Sequence, residues 1–175
     1  MPDHAAPSYT EIVDASEAER DREKIVDVDE ESVQLLLFRI LNTLFAIPGS
    51  HVREVMPAGD IFYVPGTSEL FLGVVPVRGE IASVLDLSRL LGMAPSSRIH
   101  SSRILMVVQE EMSTGVLVDA VEEILTVPVS AIQPHATTLD PQLARLTSGQ
   151  LLFGQQPTPI LEVTALFQYL QEVCR

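Results

Sequence analysis

Cysteine occurs once in the 175 residues, at Cys174, so an intrachain disulfide cannot form and a cysteine-based zinc site is excluded. Tryptophan is absent and aromatics are limited to six Phe and three Tyr, too few for the stacking platform that single-stranded nucleic acid requires. Lysine also occurs once, at Lys24, and the formal charge is −13. That sign opposes phosphate backbones and anionic lipid surfaces, so no nucleic-acid partner is expected. No apolar run approaches the roughly 18 to 20 residues that cross a bilayer. The acidic N-terminus lacks the basic and apolar regions of a secretory signal. A cytoplasmic chain without direct membrane insertion is the expectation, and a single cysteine suits a reducing compartment.

The common catalytic devices are missing as well. His4, His51, His100 and His135 are scattered with no H-E-x-x-H spacing, so no pair of imidazoles shares a helical face for a metal. No G-x-S-x-G elbow presents a serine, and no glycine-rich phosphate loop is present. The carboxylate pairs Glu110-Glu111 and Glu122-Glu123 are adjacent in β-type sequence, which sends their side chains to opposite faces. The expectation is a protein with no catalytic residues, no metal and no cofactor.

What is present falls into two textures. Residues 1–32 carry eleven acids against three bases and one apolar cluster, Ile25, Val26 and Val28. Such a segment buries too little surface to offset its ordering entropy, so an acidic, flexible extension is expected. Ser16 and Glu19 match a capping box, allowing a short helix through about Lys24.

From Val33 onward, short β-type runs alternate with Gly, Pro and Ser punctuation, the pattern of a sandwich or of small barrels. Val33 to Ile40 and Leu44 to Ile47 form one predicted hairpin, with Asn42 suited to the turn. Phe71 to Arg78 and Ile81 to Leu85 form a second at Gly79-Glu80. Pro76 lacks an N–H and places its strand at an edge or bulge. Asp86 to Leu91 predicts one or two helical turns, and the polar stretch Ala94 to Ser102 a link between halves. Arg103 to Gln109 and Gly115 to Val127 are β-rich, the latter broken at Glu122-Glu123. A turn over Ser130 to Pro134, a loop over His135 to Gln142, and strands near Ala144 to Phe153 and Thr158 to Val163 follow. A helix from Thr164 to Glu172, capped by Thr164, closes the chain.

The stretch Leu72-Gly-Val-Val-Pro-Val-Arg-Gly-Glu-Ile-Ala-Ser-Val-Leu-Asp-Leu87 resembles the central signature of the CheW family of coupling proteins. That signature is a G-hydrophobic-x-x-hydrophobic-R-G hairpin followed by an apolar strand ending in D-L. In step with it, His51-Val-Arg-Glu-Val55 is similar to the family's V-x-E-V element. Gly115-Val-Leu-Val-Asp-Ala-Val-Glu-Glu-Ile-Leu125 resembles its G…V-D-x-V strand, and Pro159 to Leu170 its closing strand and helix. The resemblance covers about residues 33 to 172.

It implies an all-β fold of two small five-stranded SH3-like barrels sharing a core, with short helices and a C-terminal helix. The barrels would occupy about 33–98 and 99–175. It implies a non-enzymatic adaptor, in flagellar, pilus-based or light-driven taxis, with two partners. One is the regulatory domain of a CheA-type histidine kinase, met at Val52, Glu54, Val55 and Gly73. The other is a methyl-accepting chemoreceptor-type sensor, met at Arg78 and Gly79, with recruitment to membrane-associated arrays. Gly73 would let another backbone approach, and Gly79 would let the turn close. Asp86 and Asp119 are expected to cap a helix and bond a turn. The sequence departs from the family pattern at Pro48-Gly49-Ser50, which precedes the V-x-E-V element, and at Glu162, where Asp or Asn is usual. The alternative is a small barrel that binds a ligand or oligonucleotide.

Overall fold

The computed structural model describes residues 30–95, 101–135 and 140–173. The acidic extension, with its predicted helix over Ser16 to Lys24, and the middle of the Ala94 to Ser102 link lie outside the described residues. Ten strands run in chain order: β1 Ser32–Ile40, β2 Thr43–Pro48, β3 Val52–Pro57, β4 Phe71–Val77, β5 Glu80–Asp86, β6 Arg103–Gln109, β7 Met112–Val118, β8 Ala120–Pro128, β9 Thr147–Phe153 and β10 Gln156–Leu161. Among the described residues three α-helices accompany them: α1 Leu87–Leu90, α2 Pro141–Arg145 and α3 Val163–Val173.

The strands form two five-stranded sheets, ordered β8-β1-β2-β10-β9 and β3-β6-β7-β5-β4. The first, the terminal sheet, takes both ends of the domain, and the second, the central sheet, takes the middle. The fold is all-β and SH3-like, as expected. A boundary between halves at 98/99 does not describe it. Hairpin β1–β2 leaves its sequence neighbours to join β8–β10, because β1 pairs antiparallel with β8 across more than 80 residues.

Strand β1 shows why one apolar run suffices for this arrangement. Leu35 and Leu37 point into the interior of the terminal sheet with Ala46, Leu151 and Ile160. Leu36, Phe38 and Ile40 point the other way, into a core shared between the sheets. A strand buried on both faces has no polar phase, hence the unbroken Leu-Leu-Leu-Phe. Strand β6 repeats the pattern, with Ile104 and Met106 facing the central interior and Leu105 and Val107 the shared core. The rings of Phe38 and Phe45 stack in that shared core at 5.9 Å, and α1 and α3 close it with Leu87, Leu90, Val163, Leu166, Phe167 and Leu170.

The two sheets are built to one plan. Each contains one parallel pair, β5–β7 or β2–β10. Each edge strand β3 or β8 carries a bulge, at Arg53 or Glu122, and each opposite edge carries another, at Leu72 or Ser148. Each sheet is then drawn toward closure by a single backbone clasp. Phe62, past the end of β3, exchanges two 2.8 Å hydrogen bonds with Val74 of β4. Gln133, past the end of β8, does the same with Gln150 of β9 at 2.8 and 2.9 Å. Each sheet ends in a helix preceded by an acid. The Asp86 carboxylate accepts the N–H groups of Ser88 and Arg89, and Glu162 accepts that of Thr164. The cap of the last helix is therefore Glu162 rather than Thr164.

Two local expectations are corrected. The break in the Gly115 to Val127 run falls at Asp119, whose carboxylate accepts the Leu41 N–H, and Glu122 is a bulge inside β8. Before β9 the chain forms α2 instead of extended structure, started by Asp140 and Pro141, a side-chain cap and an N1 proline.

Candidate functional site

The hairpin between β4 and β5 turns at Arg78-Gly79, between the paired residues Val77 and Glu80. Both central residues have positive φ, +50° at Arg78 and +88° at Gly79, as a type I′ turn demands. Glycine meets this requirement without strain, whereas arginine in the left-handed region costs on the order of 1 kcal/mol. Asparagine at position 78 would suit the turn better, so the arginine is not there for the backbone.

Its side chain is 80% exposed and reaches Glu54 of β3, which is 21% exposed. The Arg78 Nη2 and Nε groups both donate to Glu54 Oε2, at 3.0 and 3.2 Å. Strands β3 and β4 are the opposite edges of the central sheet, so this pair spans the same gap as the Phe62–Val74 clasp. An exposed ion pair contributes about 0 to 1 kcal/mol, roughly what the strained turn costs. Stability therefore gains nothing from the arrangement. A cavity of about 330 Å³ beside the pair is lined by Arg53, Glu54, Val77, Arg78 and Glu80.

The remaining predicted residues fall around it unequally. Val55 is exposed on the outer side of β3. Val52, three residues back, is half-buried and packs against the shared core. Gly73 is buried beneath the clasp, and Gly79 shapes the turn with open space around it. The structure thus joins Glu54 to Arg78, residues expected on two separate surfaces. Among the described residues no group of three His, Cys, Asp or Glu side chains could hold a metal ion.

Sequence inspection missed three exposed residues. Among the described residues Ile81 is the most exposed large aliphatic, at 78%. Its signal was legible: Ala82 and Val84 face the interior, so Ile81 lies on the outward phase of β5. Phe62 and Tyr63 gave no such signal, because they sit in a segment without periodicity.

The model of the CheW-like domain family matches residues 34–171, from the third residue of β1 well into α3. The chain belongs to the CheW-like family. It is similar to a probable chemotaxis protein CheW of Rhizobium etli, 32% identical over 77% of this chain and 86% of that protein. It is also similar to Protein FrzA of Myxococcus xanthus, 31% identical over 58% of this chain and 63% of that protein. Protein PilI of Pseudomonas aeruginosa is 27% identical over 75% of this chain and 74% of its own length. The scaffolding protein TtCheW from Thermoanaerobacter tengcongensis superposes with a TM-score of 0.68 at 25% identity, over 78% of this chain and 88% of that one. This CheW-like chain is accordingly a scaffold of chemotaxis-type signalling, from a family of non-catalytic proteins. The family's R-G hairpin is the element that carries the strained arginine and its ion pair.

Proposed function

We propose that this chain couples a methyl-accepting chemoreceptor-type sensor to a CheA-type histidine kinase in the cytoplasm, without turnover, by presenting surfaces to both. The kinase regulatory domain docks on the outer side of the central sheet, where Val55 and Ile81 are exposed and Glu54 supplies a polar rim. The sensor engages the Arg78-Gly79 tip. A single observation supports this most strongly: an arginine held at φ +50° on an exposed hairpin, in an ion pair that does not repay the strain. Strain kept without a stability return marks a functional position. A guanidinium there offers a fixed charge and several N–H donors to a partner carboxylate or carbonyl.

Control of the kinase follows from assembly. Each interface can be weak, with the array held together by multivalency and the membrane-bound sensor recruiting the adaptor. Val84, Ile104 and Met106 fill the interior of the central sheet and Leu35, Leu37 and Ile160 that of the terminal sheet, so the ligand-binding alternative has no room inside either sheet.

Calorimetry of the full chain against the regulatory domain of a CheA-type kinase from the same genome tests the proposal. Saturable binding is expected, weakened at least about tenfold by Val55→Arg, a loss of about 1.4 kcal/mol. Absence of binding to any such kinase would refute the adaptor role.

A further inference from the structure

Gly73 bears the tightest backbone constraint in the central sheet. Its φ is +144°, and a Cβ placed there would lie 2.2 Å from the Phe62 carbonyl oxygen and 2.7 Å from its carbonyl carbon. The obstacle is backbone, so any side chain must displace the clasp. Gly149 stands at the equivalent point of the terminal sheet, where a Cβ would lie 2.7 Å from the Gln133 carbonyl oxygen. A glycine that recurs beside both clasps is explained by the clasps. The backbone that approaches Gly73 belongs to this chain, not to a partner.

The two clasps differ in what they display. The terminal one carries Gln133 and Pro134. The central one carries Phe62 and Tyr63, with 58% and 72% of their surfaces exposed. Phe62 is directly opposite Val74, which is opposite Ser83. Two residues along β4, Pro76 is opposite Ile81. Residues directly opposite share a face, and so do alternate residues of one strand. Phe62, Val74, Pro76 and Ile81 therefore form one outer apolar strip that runs from the clasp toward the Arg78 hairpin.

We propose that the Phe62–Tyr63 clasp contacts the kinase regulatory domain, and that Gly73 is a positioning residue that presents the clasp without touching that partner. The inference rests on the docking role proposed above for this face. Its occupant follows from continuity with Ile81 and from chemistry, since exposed aromatics at one end of an outer apolar strip suit a partner that is itself apolar at its centre and polar at its rim.

A double-mutant cycle decides it, with calorimetry on the full chain. Phe62→Ala/Tyr63→Ser is expected to weaken binding about tenfold or more with little change in melting temperature. Gly73→Ala is expected to weaken it comparably, and the triple variant no more than Gly73→Ala alone, because the clasp is already displaced. Additive losses would mean that Gly73 meets the partner directly, and would overturn the proposal. Wild-type affinity in Phe62→Ala/Tyr63→Ser would overturn it too, and that surface variant suffices if Gly73→Ala does not fold. A wild-type chain that fails to bind refutes the docking role itself, and this proposal with it.

Discussion

The central and terminal sheets share strand order, bulges, clasps and terminal helices, yet they show different faces to solvent. At matching positions of their edge strands stand Val52-Arg53-Glu54-Val55 and Val121-Glu122-Glu123-Ile124, with Val55 and Ile124 both exposed. The hairpin tips are Arg78-Gly79 in one and Gly154-Gln155 in the other. Glycine at Gly154 takes its φ of +62° freely, whereas Arg78 holds +50° at a cost. In the terminal sheet the bulge residue Glu122 pairs locally with Arg39 at 2.8 Å, while in the central sheet Glu54 reaches across the gap to a hairpin tip. What the sheets have in common is the requirement of the fold. Where they differ, the central sheet carries the residues that the fold does not need.

The shared core ties the two halves together, and its loss has the largest expected effect. Phe38→Ala removes a ring at 0% exposure and should cost about 3 to 5 kcal/mol. Near- and far-ultraviolet circular dichroism should still report one transition at a lower temperature. Two separate transitions would show that the sheets are independent, and the comparison would become one between neighbours rather than halves. Next is the clasp of the terminal sheet. Gly149→Ala should cost about 1 to 3 kcal/mol by overpacking against Gln133 and Ile132, measured by urea unfolding. An unchanged midpoint would mean that the clasps are incidental.

Arg78→Asn sharpens the contrast between the tips. It should raise stability by up to about 1 kcal/mol, since asparagine suits the first position of a type I′ turn. It should also weaken sensor coupling about tenfold in a reconstituted kinase assay. A lower melting temperature would show that the Glu54 pair matters to the fold. The smallest effect belongs to Arg39→Gln, expected to change stability by less than about 1 kcal/mol, because Arg39 and Glu122 are both about one-third exposed. A larger loss in thermal scans would mean that the local pair of the terminal sheet is structural.

The sequence made legible whatever is local. The turn at Gly79 marks hairpin β4–β5, and Pro76, expected at an edge or a bulge, stands on an edge strand. Asp86, expected to cap a helix, accepts the N–H groups of Ser88 and Arg89 at the start of α1. The exchange of hairpins between halves was not legible. It depends on β1 pairing with β8, and no local pattern encodes a partner so distant. The role of Gly73 escaped for a related reason, since the backbone that excludes its Cβ lies eleven positions back in a segment with no periodic signal. The Arg78–Glu54 pair was half found: both residues were named, but their meeting follows from the curl of a sheet whose edges the sequence does not mark.

The exchange of hairpins also sets an order of events during synthesis. Strands β1 and β2 leave the ribosome first, yet the strands that complete their sheet, β8 to β10, end at Leu161. At about 5 to 20 residues per second, the hairpin waits roughly ten seconds for them. Meanwhile the contiguous strands β3 to β7 can assemble, since all five members of the central sheet are available once Val118 has emerged. The central sheet can thus serve as the template that shelters the Leu36 and Phe38 face of β1, while a stall in translation between Val118 and Leu161 would leave the Leu35 and Leu37 face without the strands that cover it, an edge open to aggregation.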